Sequence, residues 1–227
     1  MMIELDGISV EILRKPIKNM YLRIYPPDGG VKITAPLKLP LDVIRSHLTG
    51  KIAWINSARA RFVARPSLPA LTMQSGEQHY FLGEGYELVV HEGSGPHRIE
   101  RQDQLIHCFV KPNTSAIEKS RRLQRWYTQQ MQAILPALIQ KWEPIIGVRV
   151  DSFRIRTMKT RWGSCNVVTR RICLNLSLIQ KPLACLDYVL VHEMVHLHEA
   201  NHSKRFYALM DQFLPEWRIY KKQLEMR

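Results

Sequence analysis

The 227-residue sequence lacks long hydrophobic runs. Its apolar segments, such as residues 188–191, fall far short of the ~20 residues that a membrane-spanning helix needs. The first residues also lack the basic segment followed by an apolar one that marks a secretion signal. We therefore expect a protein without membrane association, located in the cytoplasm.

Cysteine is scarce, and its spacing excludes the common cysteine-based zinc sites. The four cysteines form no CxxC pair, and in a cytoplasmic protein of this size we expect them to stay reduced. Internal repeats and low-complexity segments are missing as well. With 45% apolar residues the chain can build a globular core, which excludes intrinsic disorder.

Acidic residues are few, 20 against 33 basic ones, so the formal net charge is +13. No run of five Lys or Arg occurs, but small basic clusters lie at Arg121, Arg122 and Arg125, and again at Arg154 and Arg156. Such a balance serves solubility alone or attracts the phosphates of nucleic acid. Both interpretations stay open at this point.

The hydrophobic pattern predicts an α+β protein with a strand-rich N-terminal region, residues 1–112. Alternation with period two predicts strands over residues 8–13, 20–25, 31–34, 80–82, 86–90 and 105–110. We expect the first three of these strands to form a β-meander. Between them, a helical stripe begins at Asp42 and ends before Pro66 and Pro69. We place the boundary of this region near residue 112, where strands give way to a helical pattern.

The second region, residues 113–227, is predicted to be richer in helix. A long helix over residues 116–142 carries a kink at Pro136. Two strands follow over residues 148–155 and 171–178, separated by a tight turn at Gly163. Another helix begins near Pro182, and Ser203 caps a last one that braces the preceding loop.

The helix that begins near Pro182 contains the pattern HExxH, formed by His192, Glu193 and His196. Helical residues four apart lie about 40° from each other around the axis, so the two imidazoles can share one metal ion. Glu193 lies to the side of that face, where a carboxylate can act as a general base without ligating the metal. With nine His in the chain, chance predicts only about 0.02 such matches. A buried helix with hydrogen-bonded histidines is the alternative.

The residues after the motif offer further ligands. His202, ten residues after His192, follows a predicted helix break and can fold back as a third ligand. Glu199 either orients an imidazole, forms a surface ion pair or replaces His202. His198 lies about 200° around the helix from His196 and so points elsewhere. Three neutral imidazoles suit Zn²⁺ and leave one coordination position open, which is typical of a catalytic site.

At these residues the chain resembles the YgjP-like metallopeptidases, which are related to the WLM and SprT-like zinc proteases. The resemblance rests on the sequence RWGSC at residues 161–165, on Asp187 and Tyr188 before HExxH, and on residues after it, namely Asn201, His202, Ser203, Phe206, Leu214, Pro215 and Trp217. The metzincins share the histidine spacing but carry glycine where this chain has Glu199.

The resemblance implies a zincin-like C-terminal region with His192, His196 and His202 as zinc ligands and Glu193 as catalytic base. It also implies that a strand near the site aligns an extended peptide, for which residues 171–178 are the natural candidate. Tyr207, His198 and Arg205 are candidates for stabilising the oxyanion.

We therefore expect a zinc-dependent metallopeptidase that acts on a peptide or protein substrate. The alternative is a nucleic-acid-associated protease of the DNA–protein crosslink type, or a basic nucleic-acid-binding module with a structural metal. An intact Glu193 argues against a purely structural metal. Neither the substrate nor the oligomeric state follows from the sequence.

Overall fold

The computed structural model describes residues 1–25, 29–63 and 72–225. The chain divides into two compact units, Met1–Ala70 and Leu71–Arg227. The boundary thus lies near residue 70, whereas the sequence pattern places one near residue 112. Within the described ranges, no helix has both the length and the apolar composition of a membrane-spanning segment.

The N-terminal unit combines a four-stranded sheet with two helices. Its elements are β1 (Met2–Leu5), β2 (Ile8–Lys15), β3 (Tyr21–Tyr25), β4 (Gly30–Pro36), α1 (Leu41–Thr49) and α2 (Ile52–Val63). The predicted meander is wrong, because the strand order is β1-β2-β4-β3 and β2 pairs in parallel with β4. The single predicted helical stripe is divided at Gly50, and Pro66 and Pro69 lie outside the described residues.

Period-two alternation builds the core of this unit. It buries one face of β2 and β4, including Val10, Ile12 and Ile33, against Ile44 and Leu48 of α1. Burial of these branched side chains stabilises the sheet and the helix together.

The C-terminal unit begins with a second four-stranded sheet and a long helix. Its first elements are β5 (Gln78–Phe81), β6 (Glu84–Glu92), β7 (Arg98–Gln102), β8 (Leu105–Val110) and α3 (Ala116–Ile146). The apolar face of α3, with Trp126 and Met131, shares one core with Leu88 and Ile106 of the sheet. These four strands therefore belong with α3, which explains why the boundary lies before them.

Helix α3 starts and ends at strong capping signals. Ser115 and Glu118 form a capping box, and Gly147 takes the left-handed conformation (φ 75°) after the last turn. The helix includes both Pro136 and Pro144 and is one turn longer than the sequence pattern predicts.

The rest of the unit carries a small sheet and three helices. In order, these are β9 (Ser152–Arg156), β10 (Gly163–Asn166), β11 (Arg171–Asn175), a 3-10 helix (Leu176–Gln180), α4 (Leu183–Val195), α5 (Lys204–Phe213) and α6 (Trp217–Glu225). The strand order is β10-β11-β9, with β10 antiparallel and β9 parallel to β11. The predicted turn at Gly163 is therefore wrong, since residues 163–166 form a strand at the edge of the sheet.

Asp187 joins α4 to α3 and supports a stability prediction. Its carboxylate accepts hydrogen bonds from Trp142 Nε1 and Lys141 Nζ, each at 2.9 Å. Asp187→Ala leaves the buried indole N–H without its acceptor, so we expect a loss of about 1.5–3 kcal/mol in the free energy of unfolding. Lys141→Ala removes only a half-exposed ion pair and should cost under about 1 kcal/mol. Urea unfolding of both variants measures the difference, and equal losses would contradict this role of Asp187.

Candidate active site

The C-terminal end of α4 brings the HExxH residues together. His192 and Glu193 lie in the last turn of this buried helix, and His196 is its C-cap residue, with its N–H donating to the His192 carbonyl. The centroids of the two imidazole rings are 5.0 Å apart. His192 and His196 therefore lie on the same face at the end of α4, as their four-residue spacing predicts.

The loop between α4 and α5 returns His202 to the same place. Ser203 caps α5 by accepting a hydrogen bond from the Phe206 N–H, as predicted, and His202 directly precedes this cap. The Nε2 atoms of His202 and His192 lie 3.0 Å apart. One nitrogen from each of His192, His196 and His202 lies within 4.8 Å of the others.

The phenyl ring of Phe206, in α5, packs against the imidazole rings of all three histidines. It is fully buried, and its ring centroid lies 4.7–4.9 Å from those of all three imidazoles. Trp217 stacks on Tyr188 and on Tyr207, and Tyr207 in turn stacks on His202. The short helices after the motif therefore hold the third histidine in place.

The surroundings of His192 and His196 favour the neutral imidazole, which is the form that binds metals. Burial, aided by the neighbouring His196 and His202, lowers the pKa of His192 to about 3, and burial lowers the pKa of His196 as well. His196 Nδ1 donates to the Glu199 carbonyl at 3.1 Å, which leaves Nε2 free as a ligand.

This donor set fits a zinc ion. Zinc binds imidazole nitrogens at ~2.0–2.1 Å, which places two nitrogens of a tetrahedral site ~3.3 Å apart. The separations of the three histidine nitrogens are compatible with that spacing after small side-chain adjustments.

Glu193 is buried beside the histidines and packs directly against β10. Its side chain is so close to Gly163 that a Cβ atom there would lie 2.5 Å from Glu193 Oε1. Burial raises the pKa of Glu193 to about 8, although the positive charge of Arg161 acts in the opposite direction. Glycine at position 163 is thus required by the position of the carboxylate.

An open cavity of about 540 Å³ lies over these residues. Its walls are the sequence RWGSC on one side and the histidines and Glu193 on the other. Burial and the nearby Glu193 raise the pKa of Cys165 to about 11. The role of the RWGSC segment could not be predicted from the sequence, because its Gly163 contacts Glu193, which lies thirty positions later in the chain.

The other candidate residues do not line this cavity, namely His198, Glu199, Arg205 and Tyr207. His198 Nε2 donates to the Ile146 carbonyl at 2.8 Å and is not part of the three-histidine cluster, which agrees with the prediction that it points elsewhere. Glu199 contributes its carbonyl to His196. Tyr207, His198 and Arg205 do not line the cavity, whereas Arg161 and Tyr188 do.

The basic clusters are brought together only in part. Arg121, Arg125 and Arg156 line a second cavity, but Arg122 and Arg154 do not.

The chain matches one described protein family. Residues 18–227 match the family described as "YgjP-like, metallopeptidase domain". No curated protein matches the chain. Among solved structures, the metallopeptidase zymogen of abylysin from Pyrococcus abyssi is similar with 20% identity and a TM-score of 0.38, over 41% of this chain and 93% of that one.

The family match extends over nearly the whole chain and includes both the RWGSC strand and the histidine-bearing helix. The chain therefore belongs to the YgjP-like metallopeptidase family.

Proposed function

We propose that the protein is a zinc-dependent peptidase in which His192, His196 and His202 hold the metal and Glu193 is the general base. The observation that carries this proposal is the convergence of three histidine nitrogens within 4.8 Å, next to a buried carboxylate, in a chain of this family. The structure contains these groups at the wall of one open cavity, where an extended substrate can reach them.

The chain's own residues perform the proton transfers of amide hydrolysis. When bound, zinc activates a water and polarises the scissile carbonyl. Glu193 accepts the proton of the attacking water and passes it to the leaving amine. A divalent cation beside His192 would lower the Glu193 pKa from about 8 and so leave the carboxylate ionised as a base needs.

The edge strand β10 is the better candidate for aligning the substrate. Residues 171–178 were expected to do so, but β11 lies in the centre of its sheet and is paired on both sides, so that prediction is wrong. In the described part of the chain, only β11 pairs with β10, whose other edge is free for a substrate strand. Because β10 also contributes Gly163 and Ser164 to the cavity wall, a peptide added there would pass Glu193.

Gly163→Ala should separate catalysis from metal binding. The new Cβ would displace Glu193 from its present position while leaving the histidines in place. A misplacement of about 1 Å lowers rates by about 10²-fold, so we expect a loss of that size in kcat with an unchanged zinc content. Gly85→Ala is the control, since its Cβ would meet nothing closer than 3.6 Å. Normal turnover by Gly163→Ala would show that the close contact has no catalytic role.

The proposal is tested by exposing the zinc-loaded protein to a mixed peptide library and identifying new termini by mass spectrometry. We expect cleavage that stops when a chelator removes the metal. A library left intact by the zinc-loaded protein under all conditions would refute peptidase activity.

A further inference from the structure

A second cavity in the C-terminal unit has a strongly basic lining. It measures about 470 Å³ and lies between α3 and the end of β9. Arg121 and Arg125 enter it from α3, and Arg156 enters it from β9. We call this cavity the arginine cleft. No acidic side chain is among the described residues that line it.

The three guanidinium groups are not neutralised by the protein itself. Within residues 1–25, 29–63 and 72–225, no ion pair or side-chain hydrogen bond involves Arg121, Arg125 or Arg156. Arg121 and Arg125 are also four residues apart on one helix, where like charges repel each other. A cleft that gathers unpaired cations in this way is suited to an anionic ligand, because planar guanidinium groups bind carboxylates and phosphates with two hydrogen bonds each.

A single well-anchored loop connects the arginine cleft to the candidate active site. Thr157 lines the cleft, and Arg161 to Gly163 line the cavity beside Glu193. Six residue steps separate Thr157 from Gly163 along the chain, so the two sites are at most about 20 Å apart along this path.

Asn175 fixes the loop. Its buried side chain donates to the carbonyls of Met158 and Arg161, both at 2.8 Å, and its N–H donates to the Trp162 carbonyl. Leu176, the next residue, lines the arginine cleft. Asn175 therefore fixes the loop that runs from the arginine cleft to the wall of the candidate active site.

We propose that the arginine cleft binds aspartate or glutamate side chains of the protein substrate, a few residues from the bond that is cleaved. The proposal rests on the peptidase function above, and it adds a substrate class, namely proteins with an acidic segment close to the scissile bond. The spacing suits one extended substrate chain, since about six extended residues span 20 Å.

The lining favours a peptide over a nucleic acid. Proteins that bind single strands stack the bases on aromatic side chains, and none lines the described part of this cleft. Instead, Gln124 and Gln129 can hydrogen-bond peptide groups, and Ile155 and Leu176 offer apolar contact. The volume of about 470 Å³ accommodates a few side chains.

The test measures binding without turnover, by fluorescence anisotropy of a labelled peptide that contains four consecutive glutamates. We expect the 227-residue chain to bind it and to ignore the matched peptide with four glutamines. Arg121→Glu combined with Arg125→Glu should raise Kd by at least about tenfold, since two attractive charge pairs become repulsive. Lys111→Glu combined with Lys222→Glu changes the net charge equally outside the cleft and should leave Kd nearly unchanged.

Three outcomes would overturn the proposal. These are equal binding of both peptides, equal losses in the two double variants, or an oligothymidine strand that binds more tightly than the acidic peptide and is released by the Arg121 and Arg125 changes. The milder pair Arg121→Gln and Arg125→Gln should give an intermediate Kd, because these changes remove the positive charges without introducing negative ones. Because the anisotropy experiment measures binding and not cleavage, its result can be interpreted even if the protein has no peptidase activity. The two proposals can therefore fail separately.

Discussion

Glu193→Gln is expected to keep its metal and to lose about 10² to 10⁴ in kcat, the usual contribution of a positioned general base. The amide has nearly the size of the carboxylate, so it fits the space beside Gly163, but it cannot accept a proton at neutral pH. The measurement pairs single-peptide kinetics with the zinc content of the same sample.

Glu199→Gln is the matched control for this variant. It makes the same chemical change six residues further on, where the backbone carbonyl rather than the carboxylate contacts His196. We expect nearly normal turnover from it. If Glu193→Gln also cleaved at the wild-type rate with normal zinc, the assignment of the base would be wrong.

The second large effect concerns the third histidine. His202→Ala leaves two imidazoles and should weaken zinc binding by more than about 100-fold, beyond the 10–100-fold that changes around the ligands produce. A competition titration against a chelator of known affinity measures this loss. His192→Ala and His196→Ala should behave in the same way.

His198→Ala is the control for the histidine series. Its imidazole donates to the Ile146 carbonyl, outside the cluster of three nitrogens, so zinc affinity should not change. Undiminished zinc affinity in His202→Ala would instead favour Glu199 as the third ligand.

The histidine-bearing helix was predictable because its information is local. Four-residue spacing places His192 and His196 on one face, and a helix break followed by the Ser203 cap returns the chain to them. The position of His202 is set by the short loop between α4 and α5 and by the Ser203 cap that follows it. Short-range periodicity and capping rules are sufficient for such a segment.

Strand β10 was not predicted because the contacts that determine its conformation involve residues distant in the sequence. Gly163 reads locally as a turn residue, yet it is needed because Glu193, thirty residues later, packs on its Cα. The parallel pairing of β2 with β4 is similar, since period-two alternation indicates which face is buried but not which strand is the neighbour. Likewise, the domain boundary depends on the packing of α3 against β6 and β8, which no local pattern records.

Zinc reconstitution of the metal-free wild-type protein tests the central claim most directly. The protein is stripped with a chelator, zinc is added back in steps, and peptide cleavage is followed at each step. The account predicts no cleavage without metal and a rate that rises linearly to a plateau at one zinc per chain. Cleavage by the stripped protein, or no return of activity after one zinc is bound, would contradict it.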